Sequence, residues 1–296
     1  MRLSSGGLTL AELVIKYNYS EEDITKPMGN AETATTAGQG ALLKIERQGA
    51  VLTVGLNRPA KRNALNDGII LEIGDCFAKL PDDIGCVVIH GIGDHFSSGL
   101  DLSELTDHDA TGGLLHSQMW HRVFDRIQYA RVPVIAALRG AVIGGGLELA
   151  CAAHIRVAEP SAYYALPEGQ RGIFVGGGGS VRLPRLIGVA RMSDMMLTGR
   201  VYSATEGSAY GFAQYLTEPD RALPKALELA ERIASNAPLT NFAVLQALPM
   251  IAEANPQTGL LMESLMATVA QSDKEAKRRI RAFLDHKTAK VKPGQK

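Results

Sequence analysis

Residues Val132–Glu168 read VPVIAALRGAVIGGGLELACAAHIRVAEPSAYYALPE. The opening VPVIAAL is a short apolar run of the kind that forms a buried strand. Three glycines, Gly144 to Gly146, then lead into LELACAAH, which has the composition of a helix entered through a glycine turn. IRVAEP and AYYALPE follow as two more short strands. A strand, a helix and further strands in close succession predict an α/β fold. Two of the acids in this stretch stand out for where they sit: Glu148 at the helix start and Glu168 directly after a strand. A carboxylate in apolar surroundings is costly unless it is paired, hydrogen-bonded or protonated, so both are candidates for acid–base chemistry.

The same alternation extends outward. ALLKIER and AVLTVGLN predict two strands around a turn at Gln48 and Gly49, and CVVIHGI a buried strand. NALNDGIILEIGDCFAKL and LLHSQMWHRVFDRIQYA carry apolar residues at helical spacing. Beyond Leu197 the period becomes mostly helical, in SATEGSAYG, LPKALELAERIASN, TNFAVLQALPMIAEAN and DKEAKRRIRAFLDHK. Three regions are therefore expected. Residues 1–40 form an N-terminal extension ending in the small, polar stretch NAETATTAGQGA, residues 41–200 a core with the active site, and residues 201–296 a helical C-terminal region.

At 296 residues the chain is long enough to bury a substantial core. Its 31 Lys and Arg balance 31 Asp and Glu, so no global field favours nucleic acid or an anionic membrane, and no partner of either kind is expected. Cys76, Cys86 and Cys151 are odd in number and lack C-x-x-C spacing. That argues against a disulfide framework or structural zinc and for a reducing, cytoplasmic setting. The N-terminal stretch has no secretory pattern and carries Glu12, Glu21, Glu22 and Asp23, which transit peptides avoid. Val132–Ala153 is interrupted by Arg139, glycines and Glu148, so it makes a poor membrane span.

A second glycine cluster, in GIFVGGGGSVRL (172–183), invites comparison with a phosphate cradle. No G-K-[ST] follows it, and the dinucleotide fingerprint fails because Val181 and Leu149 stand where Gly or Ala is needed. HFSSG (95–99) is a weak match to a serine-nucleophile elbow, since His95 occupies the first glycine position. His116 and His121 are five residues apart, so they do not share a helical face for metal, and no metal site is expected.

Taken in order, LNRPAKRNAL, HFSSGLDLSEL, the Val132–Glu168 stretch, GIFVGGGGSVRLPRLIG, MMLTGRVYSATEGSAYG and RAFLDHK resemble the crotonase (enoyl-CoA hydratase/isomerase) superfamily, from about Leu42 to Leu284. The separation of Glu148 and Glu168 is similar to that in its two-glutamate hydratases. The resemblance implies a spiral of ββα units and a helical C-terminal trimerisation region, with assembly as a homotrimer or a dimer of trimers. It also implies an acyl-CoA thioester substrate, no separate cofactor, and hydration of a 2-enoyl-CoA to a 3-hydroxyacyl-CoA.

By motif, the resemblance places an oxyanion hole on the backbone N–H groups of Leu100 and Gly145, the kind of preorganised donor an enolate needs. It assigns activation of water to Glu148 and protonation of C2 to Glu168, and it has Gly176, at the start of a helix, orienting the water. Lys61, Arg62, Ala64 and Ser98 match the coenzyme A and substrate loops, and Phe283 a residue that reaches a neighbouring subunit's coenzyme A. Asp101 is expected to shape its loop and line the substrate pocket, or else to serve only as a turn or cap. Departures from the pattern are Leu100 for the commoner Ala, Val175 for Pro, His286 near the C-terminus, and the polar Gln170 and Arg171, which either select acyl groups or face solvent. Double-bond isomerisation, another crotonase-type lyase or hydrolase reaction, and acyl-CoA binding without turnover are the alternative readings.

Overall fold

The computed structural model describes residues 41–105 and 109–285. The chain divides into residues 1–40 and 41–296, and the expectations for the N-terminal extension and for His286 lie outside the described residues. Strands β1 (Leu43–Gln48) and β2 (Val51–Leu56) form an antiparallel hairpin, with Gly49 at φ +58° in its two-residue turn. Helix α1 (Asp67–Ala78) starts where the Asn66 side chain accepts from Ile69 N, and it buries Ile69, Ile70, Ile73 and Phe77. Next come β3 (Cys86–Gly91), α2 (Ala110–Gln128), β4 (Val134–Leu138), β5 (Ala141–Ile143), α3 (Gly145–Ala152), β6 (Ile155–Ala158) and β7 (Tyr163–Ala165).

Two sheets result. The larger has the order β1-β2-β3-β4-β6-β9, parallel apart from β1, and the smaller the order β5-β7-β8. In β4–β5–α3 the first strand joins the large sheet and the second the small one. The pattern repeats through β6, β7 and α4 (Gly179–Ile187). One turn earlier the second strand has shrunk to a bridge between Ser97 and Val142. These are the ββα units of the spiral, and the fold is the crotonase fold.

Alternation along the strands divides the core between two faces. Val87 and Ile89 of β3, with Val134, Ala136 and Leu138 of β4, face α1 and α2. Cys86, Val88, Ile135 and Ala137 face Ala222, Ala226, Leu229 and Ala230. Those four lie at helical spacing on α7 (Ala222–Ala234), which follows α5 (Val189–Thr198), β8 (Tyr202–Ser203), α6 (Ala204–Tyr210) and β9 (Tyr215–Leu216). The region beyond residue 200 is therefore not purely helical, because it supplies an edge strand to each sheet and the cover of one face.

The tail comprises α8 (Pro238–Phe242), a π-helical turn (Ala243–Ala247), α9 (Leu248–Glu253), α10 (Pro256–Ser272) and α11 (Lys274–Leu284). TNFAVLQALPMIAEAN, expected as one helix, is helical without a break up to Glu253, with a π-helical turn just before Pro249, which has no N–H to continue the i→i−4 ladder. Helix α10 was not expected. Of its residues Gly259 is buried and Met262, Met266 and Ala270 are half-buried, while Leu260, Leu261, Leu265 and Val269 are exposed.

Candidate active site

The site is built where β5 turns into α3. Backbone bonds tie both sides of residue 100 to residue 65: Leu65 N donates to Gly99 O and Asp101 N to Leu65 O, each at 2.8 Å. The Leu100 N–H therefore points away from that pairing, towards the first turn of α3. A Cβ on Gly145 would lie 3.4 Å from Leu100 N, and one on Gly99 would lie 3.3 Å from Gly145 N. Gly145 opens its helix, so its N–H has no intrahelical acceptor. Neither amide is paired among the described residues. Two adjacent free N–H groups, one at the positive end of a helix, are donors of the kind that can hold a negatively charged oxygen. Because the donors are backbone, Leu100 leaves them intact.

Glu148 projects from the first turn of α3 and is 3% exposed. Its Oε1 accepts from Gly177 N at 2.8 Å and Gly179 N at 2.7 Å. Burial raises its pKa from the ordinary carboxylate value, against the pull of those amides and of Arg182. The glycine turn is clamped from two sides, with Ser117 Oγ donating to Gly176 O at 2.6 Å and Arg182 Nη1 to Gly177 O at 3.0 Å. Arg182 is fixed in turn by Asp125 and Gln128. Helix α4 begins only at Gly179, so Gly176 is not at a helix start as expected, although it does line the cavity.

Glu168 follows β7 across Pro167. Its Oε1 lies 2.6 Å from where a Cβ on Gly144 would be, and Gly144 is held by its N–H on Ala165 O at 3.0 Å with φ +51°. Only glycine satisfies both the left-handed backbone and this contact. Burial pushes the Glu168 carboxyl up to about 7; its own backbone N–H and Arg171 oppose the rise, and the charge of Glu148 adds to it. Its Oε2 is buried without a partner among the described residues.

Both acids and both amide-bearing residues line one cavity of about 330 Å³. Trp120 forms part of its wall, packed edge-on against Phe124 and 2.8 Å from where a Cβ on Gly145 would be. Sequence reasoning missed Trp120 because an aromatic on an amphipathic helix reads as core. It also missed Ser117 and the roles of Gly177 and Gly179. Four consecutive glycines carry no signal of which amide meets the acid.

The remaining expected residues are placed as follows. Ser98 lines the cavity; its N donates to Arg62 O at 2.9 Å and its Oγ to Lys61 O at 3.3 Å. Lys61 and Arg62 are thus tied through their carbonyls to the loop that carries Leu100, while Ala64 O accepts from Arg58 at 2.8 Å. Asp101 does not line the cavity. Its carboxylate binds Arg58 at 3.1 Å and Ser103 at 2.9 Å, and these partners outweigh its partial burial to hold its pKa below the usual value. It shapes the loop, and its expected place in the pocket is corrected. Phe283 lies half-exposed on α11, outside the cavity wall. Ser97 Oγ donates to Asn63 O at 2.8 Å, so the hydroxyl that suggested a nucleophile secures the loop. His116 binds Asp67 at 2.9 Å, and among the described residues no cluster of His, Cys, Asp and Glu is placed to hold a metal. Among those residues no helix is long and apolar enough to cross a membrane.

Residues 46–293 match the family described as Enoyl-CoA hydratase/isomerase. The chain is 34% identical to the 2,3-dehydroadipyl-CoA hydratase of Escherichia coli K12, over 84% of this chain and 98% of that one. It is 31% identical to the short-chain-enoyl-CoA hydratase of Clostridium acetobutylicum, over 81% and 94%. A crystal structure of a putative enoyl-CoA hydratase from Rhodopseudomonas palustris is 79% identical, with a TM-score of 0.82 over 84% of this chain and 97% of that chain. With the two-acid cavity and the ββα spiral already in place, these likenesses establish that the chain belongs to the enoyl-CoA hydratase/isomerase family, within the crotonase superfamily.

Proposed function

We propose the following course for this enoyl-CoA hydratase. The thioester oxygen of a 2-enoyl-CoA sits on the N–H groups of Leu100 and Gly145. Water held by Glu148 and the Gly176 amide adds to C3, giving its proton to Glu148. Charge passes to the thioester oxygen as an enolate, where the two donors stabilise it. Glu168 then delivers its proton to C2 on the same face, giving a 3-hydroxyacyl-CoA, and a proton returns from Glu148 to Glu168 to reset the pair. One observation carries this reading: two buried carboxyls face one cavity whose rim holds two free amides.

The test is hydration of crotonyl-CoA, followed as loss of enoyl-thioester absorbance with identification of the product. Turnover of a 3-enoyl-CoA to its 2-enoyl isomer without hydration would favour the isomerase reading. Coenzyme A enters as part of the substrate, along the Lys61–Ala64 loop, and no separate cofactor takes part. The exposed Leu260, Leu261 and Leu265 of α10 support assembly as a homotrimer or a dimer of trimers, in which Phe283 reaches a neighbouring subunit's coenzyme A. The three free thiols are consistent with a cytoplasmic setting.

Ser117 tests the support of Glu148. Ser117→Ala removes one hydrogen bond from the glycine turn, worth about 0.5–1.5 kcal/mol. The expected result is a fall in kcat of about 2- to 10-fold with KM little changed. A selective rise in KM would show that Ser117 serves binding instead.

A further inference from the structure

The glycine turn separates two buried groups of opposite charge. On one face lies Glu148: a Cβ on Gly179 would be 2.8 Å from its Oε1, and one on Gly177 would be 3.1 Å from its Oε2. On the other face lies Arg182, whose guanidinium fills the place a Cβ on Gly178 would take. With Gly178 at φ +90°, the N–H groups of Gly177 and Gly179 converge on Glu148 Oε1 as a concave anion cradle. The carbonyl between them turns the other way, where Gly177 O accepts from Arg182 Nη1 at 3.0 Å. Arg182 therefore holds the middle peptide of the turn, and with it the two amides that flank that peptide.

Arg182 is itself fixed from α2. Its Nη2 donates to Asp125 at 2.5 Å and its Nε to Gln128 at 2.6 Å. Its side chain is buried, whereas that of Asp125 is half-exposed. Neither Arg182 nor Asp125 lines the cavity that holds Glu148 and Glu168, so both stand apart from the substrate. The remaining groups around them do not duplicate this charge. Burial pushes the Cys151 thiol, on the same helix as Glu148, up to about 12, and His121 of α2 is held below its usual value by burial and by Arg182, so both are neutral near pH 7. Arg185 of α4 is paired with Glu253 of α9, and Glu168 faces Glu148 across the substrate cavity.

We propose that Arg182 is the positioning residue of the general base: it fixes the amides that aim Glu148, and its charge, moderated by Asp125, favours the ionised carboxylate that takes the proton from water. This rests on the hydratase reading and adds a residue that serves it without meeting the substrate. A guanidinium suits the task because one planar fork binds a carbonyl, an amide oxygen and a carboxylate at once.

The test is the pH profile of kcat for crotonyl-CoA hydration in three variants. Removing the cation raises the pH at which Glu148 ionises, whereas removing the charge of Asp125 leaves Arg182 unopposed and lowers it. Arg182→Met is expected to lower kcat at pH 7 by about 10- to 100-fold with KM within about twofold, and to move the acid limb about one unit to higher pH. Arg182→Lys keeps the charge but not the fork, so the plateau of kcat should fall severalfold while the limb stays in place. Asp125→Asn, whose amide oxygen still accepts from Arg182, should move the limb about half a unit to lower pH. A clamp without an electrostatic role would lower the rate and leave every limb unmoved. That result, shifts of the same sign in Arg182→Met and Asp125→Asn, or an effect confined to KM would overturn the proposal. Should Arg182→Met fail to fold, the limb in Asp125→Asn decides alone. A wild type that does not hydrate crotonyl-CoA would instead sink the hydratase reading, and this proposal with it.

Discussion

Glu148→Gln is expected to lower kcat for crotonyl-CoA hydration by about 100- to 10,000-fold, the range usual for loss of a positioned general base. Glutamine is the informative replacement because its amide oxygen still accepts from Gly177 and Gly179, which hold Oε1 at 2.8 and 2.7 Å. The glycine turn, the clamp by Ser117 and the shape of the cavity are therefore retained. What is lost is the site that takes the proton from water. The measurement is steady-state loss of enoyl absorbance, with a thermal melt to confirm the fold. A kcat within about threefold of wild type would remove Glu148 from its assigned role.

Glu168→Gln is expected to cost a comparable factor and also to change the pH profile. The Glu168 carboxyl, raised to about 7 by burial, holds its proton below that pH and loses it above. An acid that must be protonated makes the rate fall as pH rises past about 7, by tenfold per unit at the limit. Glu148 must be ionised in the proposed course, and because burial raises both carboxyls and their charges interact, the two limbs belong to the pair. With Gln at residue 168 the alkaline limb should vanish from the residual activity. Its persistence would mean that another group donates to C2.

Much of this was legible before any coordinates. The alternation Val87/Val88/Ile89 in β3 already carried its two-faced burial, and the glycines before Glu148 marked the start of α3. Both acids stood out because a carboxylate in an apolar run demands a reason. Other parts depend on contacts between distant residues. For Asp101 the sequence leaves the loop, the pocket and a cap all open, and the choice depends on Arg58, 43 positions away, which binds it. Gln170 and Arg171 read as selecting acyl groups or facing solvent; both are exposed, and Arg171 also lines the cavity. Helix α10 carries apolar residues on its half-buried and its exposed sides alike, which blurs the contrast that marks an amphipathic period.

The short parallel pair β5–β7 sets Ile143 beside Ala165. One strand runs on into the Gly145 amide and Glu148, while the other releases the chain into the turn that carries Glu168. The amides proposed to stabilise the enolate are thus part of the paired framework, whereas Glu168, the proposed proton donor, hangs on a connecting segment just past it. A lineage built on this plan is free to exchange the donor, and with it the fate of the enolate, while inheriting the frame that makes the enolate accessible. Diversification of chemistry and preservation of architecture are assigned to different sides of one three-residue strand pair.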